Sequence, residues 1–316
     1  MRRIPLAALL AALLLALSGC APGAPEEARL HIVTTTYPTY LFASAVTRGV
    51  EGVQVDRLDT GSASCLHDYT LSARDMRKIE GADVLVLNGA GLEEFMEDAL
   101  ATSDAAVIDC SVGVDLLENL AHDHEEGDEG DHDHGHYDPH FWMSPTRAGQ
   151  MVAQIREGLC QVDPEYEASY SGNAAVADGQ LEELDRELTE LFSAPEGTGG
   201  KISGLITFHD GFQYFARDFD LPLLAAIEEE AGSEASAREI VEITGLVQEY
   251  HIPVIFTEVN GSDATARAIA RETGCAVAQL TMVMDGPDDQ LSRYCDALLE
   301  NARTITGGFA GEEVLP

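Results

Sequence analysis

The chain has 316 residues, with 18 Lys and Arg against 56 Asp and Glu, a formal net charge of −38. So acidic a surface repels phosphate backbones, and nucleic acid is not an expected partner. The length suits two domains of ordinary size, and no segment beyond the first 20 residues is long and apolar enough to cross a membrane.

The N-terminus, "MRRIPLAALLAALLLALSGC", places two arginines before an apolar run and small residues before Cys20. This is the grammar of a secretory signal, and its end resembles the bacterial lipobox. Residues 1–20 are therefore expected to be a lipoprotein signal peptide. Cys20 is the expected lipidation site and 21–29 a flexible tether. Export implies an oxidising compartment. Of the five later cysteines, Cys275 and Cys295 form a candidate bridge, while the odd count leaves at least one thiol free.

The mature chain opens on a β-branched strand, "LHIVTTTYP" (30–38), and a second, "GVQVDRLD". "SARDMRKIEGA" starts on a serine cap and stops at Gly81, as a short helix does. "DVLVLNGAG" reads as a buried strand and a glycine turn, "LEEFMEDAL" as an amphipathic helix, and "AAVIDCS" as a further strand. From Pro145 to about Ala194 the periodicity is helical, with Leu181, Leu184, Leu188 and Leu191 on one face. Asp163-Pro164 breaks that passage or starts a second helix. Strand and helix then alternate again through "KISGLITF", "LPLLAAI", "REIVEITGLVQEY", "IPVIFTEV", "DATARAIARETG", "CAVAQL" and "QLSRYCDALLENARTI". This pattern predicts an α/β fold of two parallel-sheet lobes, 30–144 and 196–316. A linking helix region over 145–195 joins them, and the cleft between them is the default ligand site.

The passage His122–Pro145, "HDHEEGDEGDHDHGHYDPHFWMSP", holds six of the ten histidines and eight acidic residues. Apart from the five histidines from His122 to His136, three others sit where a strand or an extended segment gives way to a loop. These are His67 in "SCLHDYTLS", His140 in "YDPHFWMSP" and His209 in "ITFHDGFQYF". In open α/β sheets ligands gather outside the carboxyl ends of strands. Three neutral imidazoles with a carboxylate or water suit Zn²⁺, whereas Mn²⁺ favours more oxygen. Asp68, Asp138 and Asp210 flank the three, either accepting a second ring N–H or capping the next helix. His31 and His251 start apolar strands and read as surface or internally satisfied residues.

"CLHDYTLSARDMRKIEGADVLVLNGAGLEEFMEDAL", "DPHFWMSP" and "ITFHDGFQYFARDFDLP", in that order, resemble the metal-binding solute receptor lipoproteins of bacterial zinc and manganese ABC importers. The resemblance covers essentially the whole mature chain, including the acidic, His-rich insert before "DPH". It implies two lobes on a long backbone helix with one ion between them, ligated by His67, His140 and His209. It also implies a non-enzymatic receptor, a monomer, lipid-anchored through Cys20 on the extracytoplasmic face of the cell membrane. Such a receptor delivers Zn²⁺ to an ABC permease with its ATPase. A histidine at 209 tilts the choice to zinc, with Mn²⁺ as the alternative cargo. One departure stands out. The family usually places a ligating Asp after a late strand, as Leu-Asp-Pro, where this chain has Leu280-Thr281-Met282. Asp285 is the preferred fourth ligand, with Glu258 or water as alternatives.

The loop 121–138 is read as a weak collector, with His122, His124, His132, His134 and His136 as its metal-gathering residues. Nanomolar binding is worth about −12 kcal/mol, and fixing a floppy segment costs roughly 1–2 kcal/mol per residue. A site preformed between lobes avoids that cost. "HDHGHY" also lacks the HxHxDH order of binuclear metallohydrolases, and no HExxH or GxSxG motif supports a secreted zinc hydrolase. No apolar repeat or binding module points to an adhesin, although cell adhesion is compatible with a receptor as a second task.

Overall fold

In the computed structural model of the chain, the described residues are 28–60, 66, 69–119, 136–193, 202–228, 235–259 and 261–311. Cys20, Cys65, His67, Asp68 and the histidines at 122, 124, 132 and 134 lie outside them.

The first sheet is parallel, in the order β2-β1-β3-β4. Its strands are β1 (Leu30–Thr34), β2 (Val53–Arg57), β3 (Val84–Leu87) and β4 (Ala106–Asp109). Side chains on a strand alternate between faces, and here they divide between two cores. Ile32, Val84 and Val86 belong to one cluster with Leu41, Phe42, Met151 and Leu184. Val33, Leu85 and Leu87 belong to the other with Ile79, Met96 and Ala99. Helices therefore cover both faces, as an all-parallel sheet requires. α1 (Tyr37–Thr47) and the central helices cover one face, α2 (Ala73–Glu80) and α3 (Glu97–Thr102) the other.

α2 has the expected ends: Ser72 and Asp75 form a capping box, and Gly81 is the C-cap. α1 departs from the expectation, because "LHIVTTTYP" stops being a strand at Thr34. Thr36 is the N-cap, in a capping box with Thr39, and Pro38 lies in the first turn. Every residue of α1 except Tyr40 is buried, so it has no polar face from which a helical period can be read. The expected helix over 92–100 is shorter: a 3₁₀ turn (Glu94–Met96) precedes α3.

The helical passage after Pro145 is a pair. α4 (Pro145–Val162) is capped by Ser144, whose side chain accepts from the Arg147 N–H. The chain breaks at Asp163-Pro164 and continues as α5 (Glu167–Phe192). Asp163 holds the corner: it accepts from Arg29 at 2.8 and 2.9 Å and from the Tyr170 hydroxyl at 2.5 Å. α5 has 26 residues, about 39 Å at 1.5 Å per residue. It packs on α1 of the first lobe and on the last helix of the second.

The second lobe carries β5 (Leu205–His209), α6 (Gln213–Asp218), β6 (Leu223–Glu228), α7 (Ala237–Glu249), β7 (Val254–Glu258), α8 (Ala264–Thr273), β8 (Ala276–Leu280) and α9 (Ser292–Ala310). β5 pairs with β6 and β7 with β8, both parallel, and β5 lies beside β7. The short α6 is a second helix that the sequence pattern did not separate. α9 packs closely on β7: a Cβ on Gly308 would stand 2.8 Å from Val254. The architecture is the expected α/β fold of two parallel-sheet lobes on a long helix.

Cys275 and Cys295 are free thiols, so the candidate bridge between them is absent. The two point to different neighbours. Cys275 sits with Thr273, 3.2 Å from its hydroxyl, under α8, while Cys295 lies near Glu187 of α5.

Candidate metal centre

His140 and His209 come from different lobes and meet between them. His209 is the last residue of β5. His140 precedes a 3₁₀ turn (Phe141–Met143) that runs into α4. Each is 5 % exposed, and their Nε2 atoms are 3.1 Å apart. Two imidazole nitrogens on one tetrahedral zinc stand about 3.3 Å apart, given Zn–N bonds of about 2.0–2.1 Å. The pair is thus at nearly the spacing one ion needs.

The orientation of the His140 ring follows from its surroundings. Its Nδ1 lies 2.7 Å from Asp138 Oδ1, which also accepts the His140 backbone N–H at 2.9 Å. Asp138 is 1 % exposed. With Nδ1 engaged by Asp138, Nε2 is the nitrogen that faces His209, the arrangement in which a carboxylate orients a metal-binding ring. Of the two roles open to Asp138, it therefore fills the one of orienting the ring.

The loop that carries His140 is braced from several sides. The Tyr214 hydroxyl donates to the Asp138 carbonyl at 2.7 Å and accepts from the Leu117 N–H at 2.9 Å. Burial pushes that hydroxyl well above its ordinary pKa, so it remains a donor. Arg147 stacks over the Tyr214 ring at 4.8 Å and pairs with Asp218 at 2.8 Å. Asn88 donates to the Pro139 carbonyl at 3.0 Å. Asn88 and Gly89 in turn give their N–H groups to Glu93, at 2.7 and 2.9 Å, and Thr35 gives its hydroxyl at 2.6 Å. Burial outweighs these donors and pushes the Glu93 carboxyl up to about 7. Tyr214, Asn88 and Glu93 were not singled out from the sequence; only the aromatic run after "FHDGF" hinted at the first.

The candidate fourth ligands separate. Glu258, the last residue of β7, is 6 % exposed. It lines a cavity of about 10 Å³ with His209, Thr207, Phe212, Leu280 and Met282, about the room one water needs. Asp285 is half-exposed and is held by Arg57 of β2 at 3.0 Å. Around it the lobes are clasped further: the Tyr37 hydroxyl donates to the Asp288 carbonyl at 2.9 Å and Arg48 to the Asp289 carbonyl at 3.3 Å. Thr281 is occupied elsewhere. Its Oγ1 accepts the Val283 N–H at 3.0 Å, and Asn301 bonds both its N–H and its carbonyl.

Of the five histidines expected to collect metal, His136 lies among the described residues. It is exposed, with its ring against Tyr137 at 4.7 Å and 3.8 Å from Glu118. Glu118 and Tyr137 form an antiparallel bridge, so the two ends of the His-rich passage are joined next to Asp138. His31 is satisfied on both nitrogens, by Asp56 at 2.8 Å and the Gly81 carbonyl at 2.9 Å. His251 is exposed in a left-handed turn, φ 52°. Asp210 adjoins the pair in sequence but does not cap α6, whose N-cap is Phe212 with no side-chain bond.

The chain is 29 % identical, over 92 % of its length, to the zinc-binding protein AdcA of Streptococcus pyogenes serotype M3. It is 32 % identical, over 82 %, to the zinc-binding lipoprotein AdcA of Streptococcus pneumoniae. It spans 58 % and 51 % of those relatives, a little over half. The Zn(II)-bound ZnuA-like domain of the S. pneumoniae protein superposes with a TM-score of 0.70 at 27 % identity, covering 89 % of this chain and 99 % of that one. A mutant of the laminin-binding adhesin Lmb from Streptococcus agalactiae gives 0.73 at 27 %, with the same coverage. The family model for the zinc-uptake complex component A, periplasmic, matches residues 32–308. With that match over most of its length, the chain belongs to the ZnuA family of zinc-uptake components.

Proposed function

We propose that the protein is an extracytoplasmic receptor that takes up Zn²⁺ between its lobes and passes it to an ABC importer permease driven by its ATPase. The observation that carries this reading is the buried His140–His209 pair, Nε2 to Nε2 at 3.1 Å, with Asp138 fixing one ring. The family match and the zinc-binding names of its relatives support the cargo. His67 is proposed as the third ligand. Glu258 is preferred to Asp285 as the fourth, since it shares a cavity with His209 while Asp285 is held by Arg57. No reaction is assigned: the ion is cargo, and it leaves as it entered.

Cys20 is proposed as the lipid anchor, in keeping with the lipoprotein name of the S. pneumoniae relative. Two acyl chains would hold the receptor on the membrane. The passage 122–136 is proposed as the collector. Its joined ends beside Asp138 would keep loosely held ions near the site.

The test is a zinc titration of the metal-free protein in competition with a chelator. His140→Ala and His209→Ala should each weaken binding at least about a hundredfold, and His67→Ala likewise. Deletion of 122–136 should leave the tight site in place. Loss of that site on deletion, or its survival in all three alanine variants, contradicts the assignment. Competition with Mn²⁺ decides the alternative cargo.

A further inference from the structure

One residue past Thr281, where the family usually places a carboxylate, this chain lines the cavity wall with a thioether. Met282 is 1 % exposed and lines the same cavity as His209 and Glu258. Its position relative to the histidine can be read from Gly211. A Cβ on that glycine would lie 2.3 Å from Met282 Cε, 3.0 Å from its Sδ and 3.2 Å from Cδ2 of the His209 ring. The end of the methionine and the His209 ring therefore both pack against Gly211, and only a residue without a side chain leaves room for them.

Met282 is also held in place. The Trp142 indole N–H donates to the Met282 carbonyl at 2.9 Å, and the Tyr294 hydroxyl donates to the Trp142 carbonyl at 2.6 Å. Asn301 fixes Thr281 through both backbone groups. Val283 has φ 60° and is buried. That conformation is unfavourable for a β-branched residue and persists only where the surroundings impose it, often at a functional site. The loop after β8 thus presents its thioether from a rigid support.

We propose that Met282 is a specificity-determining residue whose thioether faces the bound ion, opening the site to soft, thiophilic d¹⁰ cations such as Cu(I). The proposal rests on the reading of His140 and His209 as ligands of the ion. Thioether sulfur selects soft metals, imidazole serves Cu and Zn alike, and carboxylate suits harder ions. The cavity accordingly has two sides. Glu258 offers oxygen to a divalent ion, and Met282 offers sulfur to a monovalent soft one.

The experiment measures Cu(I) affinity under reducing, oxygen-free conditions against a chelator, and Zn²⁺ affinity in parallel. It uses wild type and Met282→Leu, a swap that nearly preserves volume. Accessible thiols are alkylated in both proteins before metal is added, because thiolate also takes Cu(I), so the difference isolates Met282. The expected result is a loss of about tenfold or more in Cu(I) affinity with Zn²⁺ changed less than about threefold. Unchanged Cu(I) affinity, or an equal fall for both ions, overturns the proposal, the latter because it shows only a packing role. A wild type that binds Zn²⁺ no more tightly than His140→Ala instead overturns the receptor reading beneath it.

Discussion

His31 and His140 each lie beside a carboxylate, and of these two only His140 also faces a second imidazole. His31 stands at the start of β1, with Nε2 on Asp56 and Nδ1 on the Gly81 carbonyl. His140 lies between the lobes, with Nδ1 on Asp138 and Nε2 turned to a second imidazole. The carboxylate is common to both and decides nothing alone. What separates them is the other nitrogen: in His31 it meets a backbone carbonyl, in His140 the last residue of a strand. His31 stands at the amino end of β1, while the imidazole that His140 faces stands at the carboxyl end of β5, where ligands gather in open α/β sheets.

The sharpest way to break this comparison is to exchange its members by substitution. His209→Ala should weaken zinc binding at least about a hundredfold. His31→Asn should leave zinc affinity within about twofold and cost about 1 kcal/mol of stability through its lost hydrogen bonds. Chelator competition and denaturant melts of the same two variants read both effects, and equal zinc losses would erase the distinction. Asp138→Asn tests the shared carboxylate. It should lower zinc affinity about ten- to a hundredfold by releasing the ring, whereas Asp56→Asn should leave it unchanged.

A smaller effect concerns the two acidic candidates. Glu258→Gln should weaken zinc binding about tenfold or more, and Asp285→Asn by less than about threefold. The second should instead loosen the clasp that Arg57 makes across the lobes. The reverse order, measured by the same competition, would return Asp285 to the ion.

The last effect, read in stability rather than in metal affinity, is one of pH on the brace behind His140. The Glu93 carboxyl is raised from 4.5 to about 7, chiefly by burial. Its folded pKa lies above the unfolded one, so the folded state holds its proton more firmly. That contribution is fully present below about 4.5 and is lost as pH rises through about 7. At about 1.4 kcal/mol per pH unit it amounts to roughly 3 kcal/mol at most. Thermal melts of the metal-free protein between pH 4.5 and 7.5 should show a fall in stability from this group. Glu93→Gln should flatten the slope across that window, and an unchanged slope would contradict the assignment to Glu93.

Much of this could be read from the chain. Strand and helix alternate visibly because a buried parallel strand is a short apolar run between glycine turns and capped helices. α2 displays both of its ends, as Ser72 and Gly81. α1 stayed hidden because burial on nearly every side removes the helical period, and its signal was Thr36 with Pro38 rather than any stripe. His140 and His209 stood out by their place after extended segments. Their braces did not: Tyr214 reaches Asp138 across 76 residues of chain, and Glu93 acts through Asn88, which reaches Pro139 across 51. Spacing could not rank Glu258 against Asp285 either. Glu258 ends β7 and Asp285 follows β8, and what separates them is burial beside His209 for the one and the hold of Arg57 from the other lobe for the other.

The measurement that bears most directly on the central claim is a crystal structure of the zinc-loaded protein with anomalous data at the zinc edge. The account predicts one fully occupied ion within about 2.1 Å of Nε2 of both His140 and His209, the Asp138 contact intact. A single tight ion held by histidines of the 122–136 passage, with His140 and His209 left in contact with each other, would contradict it.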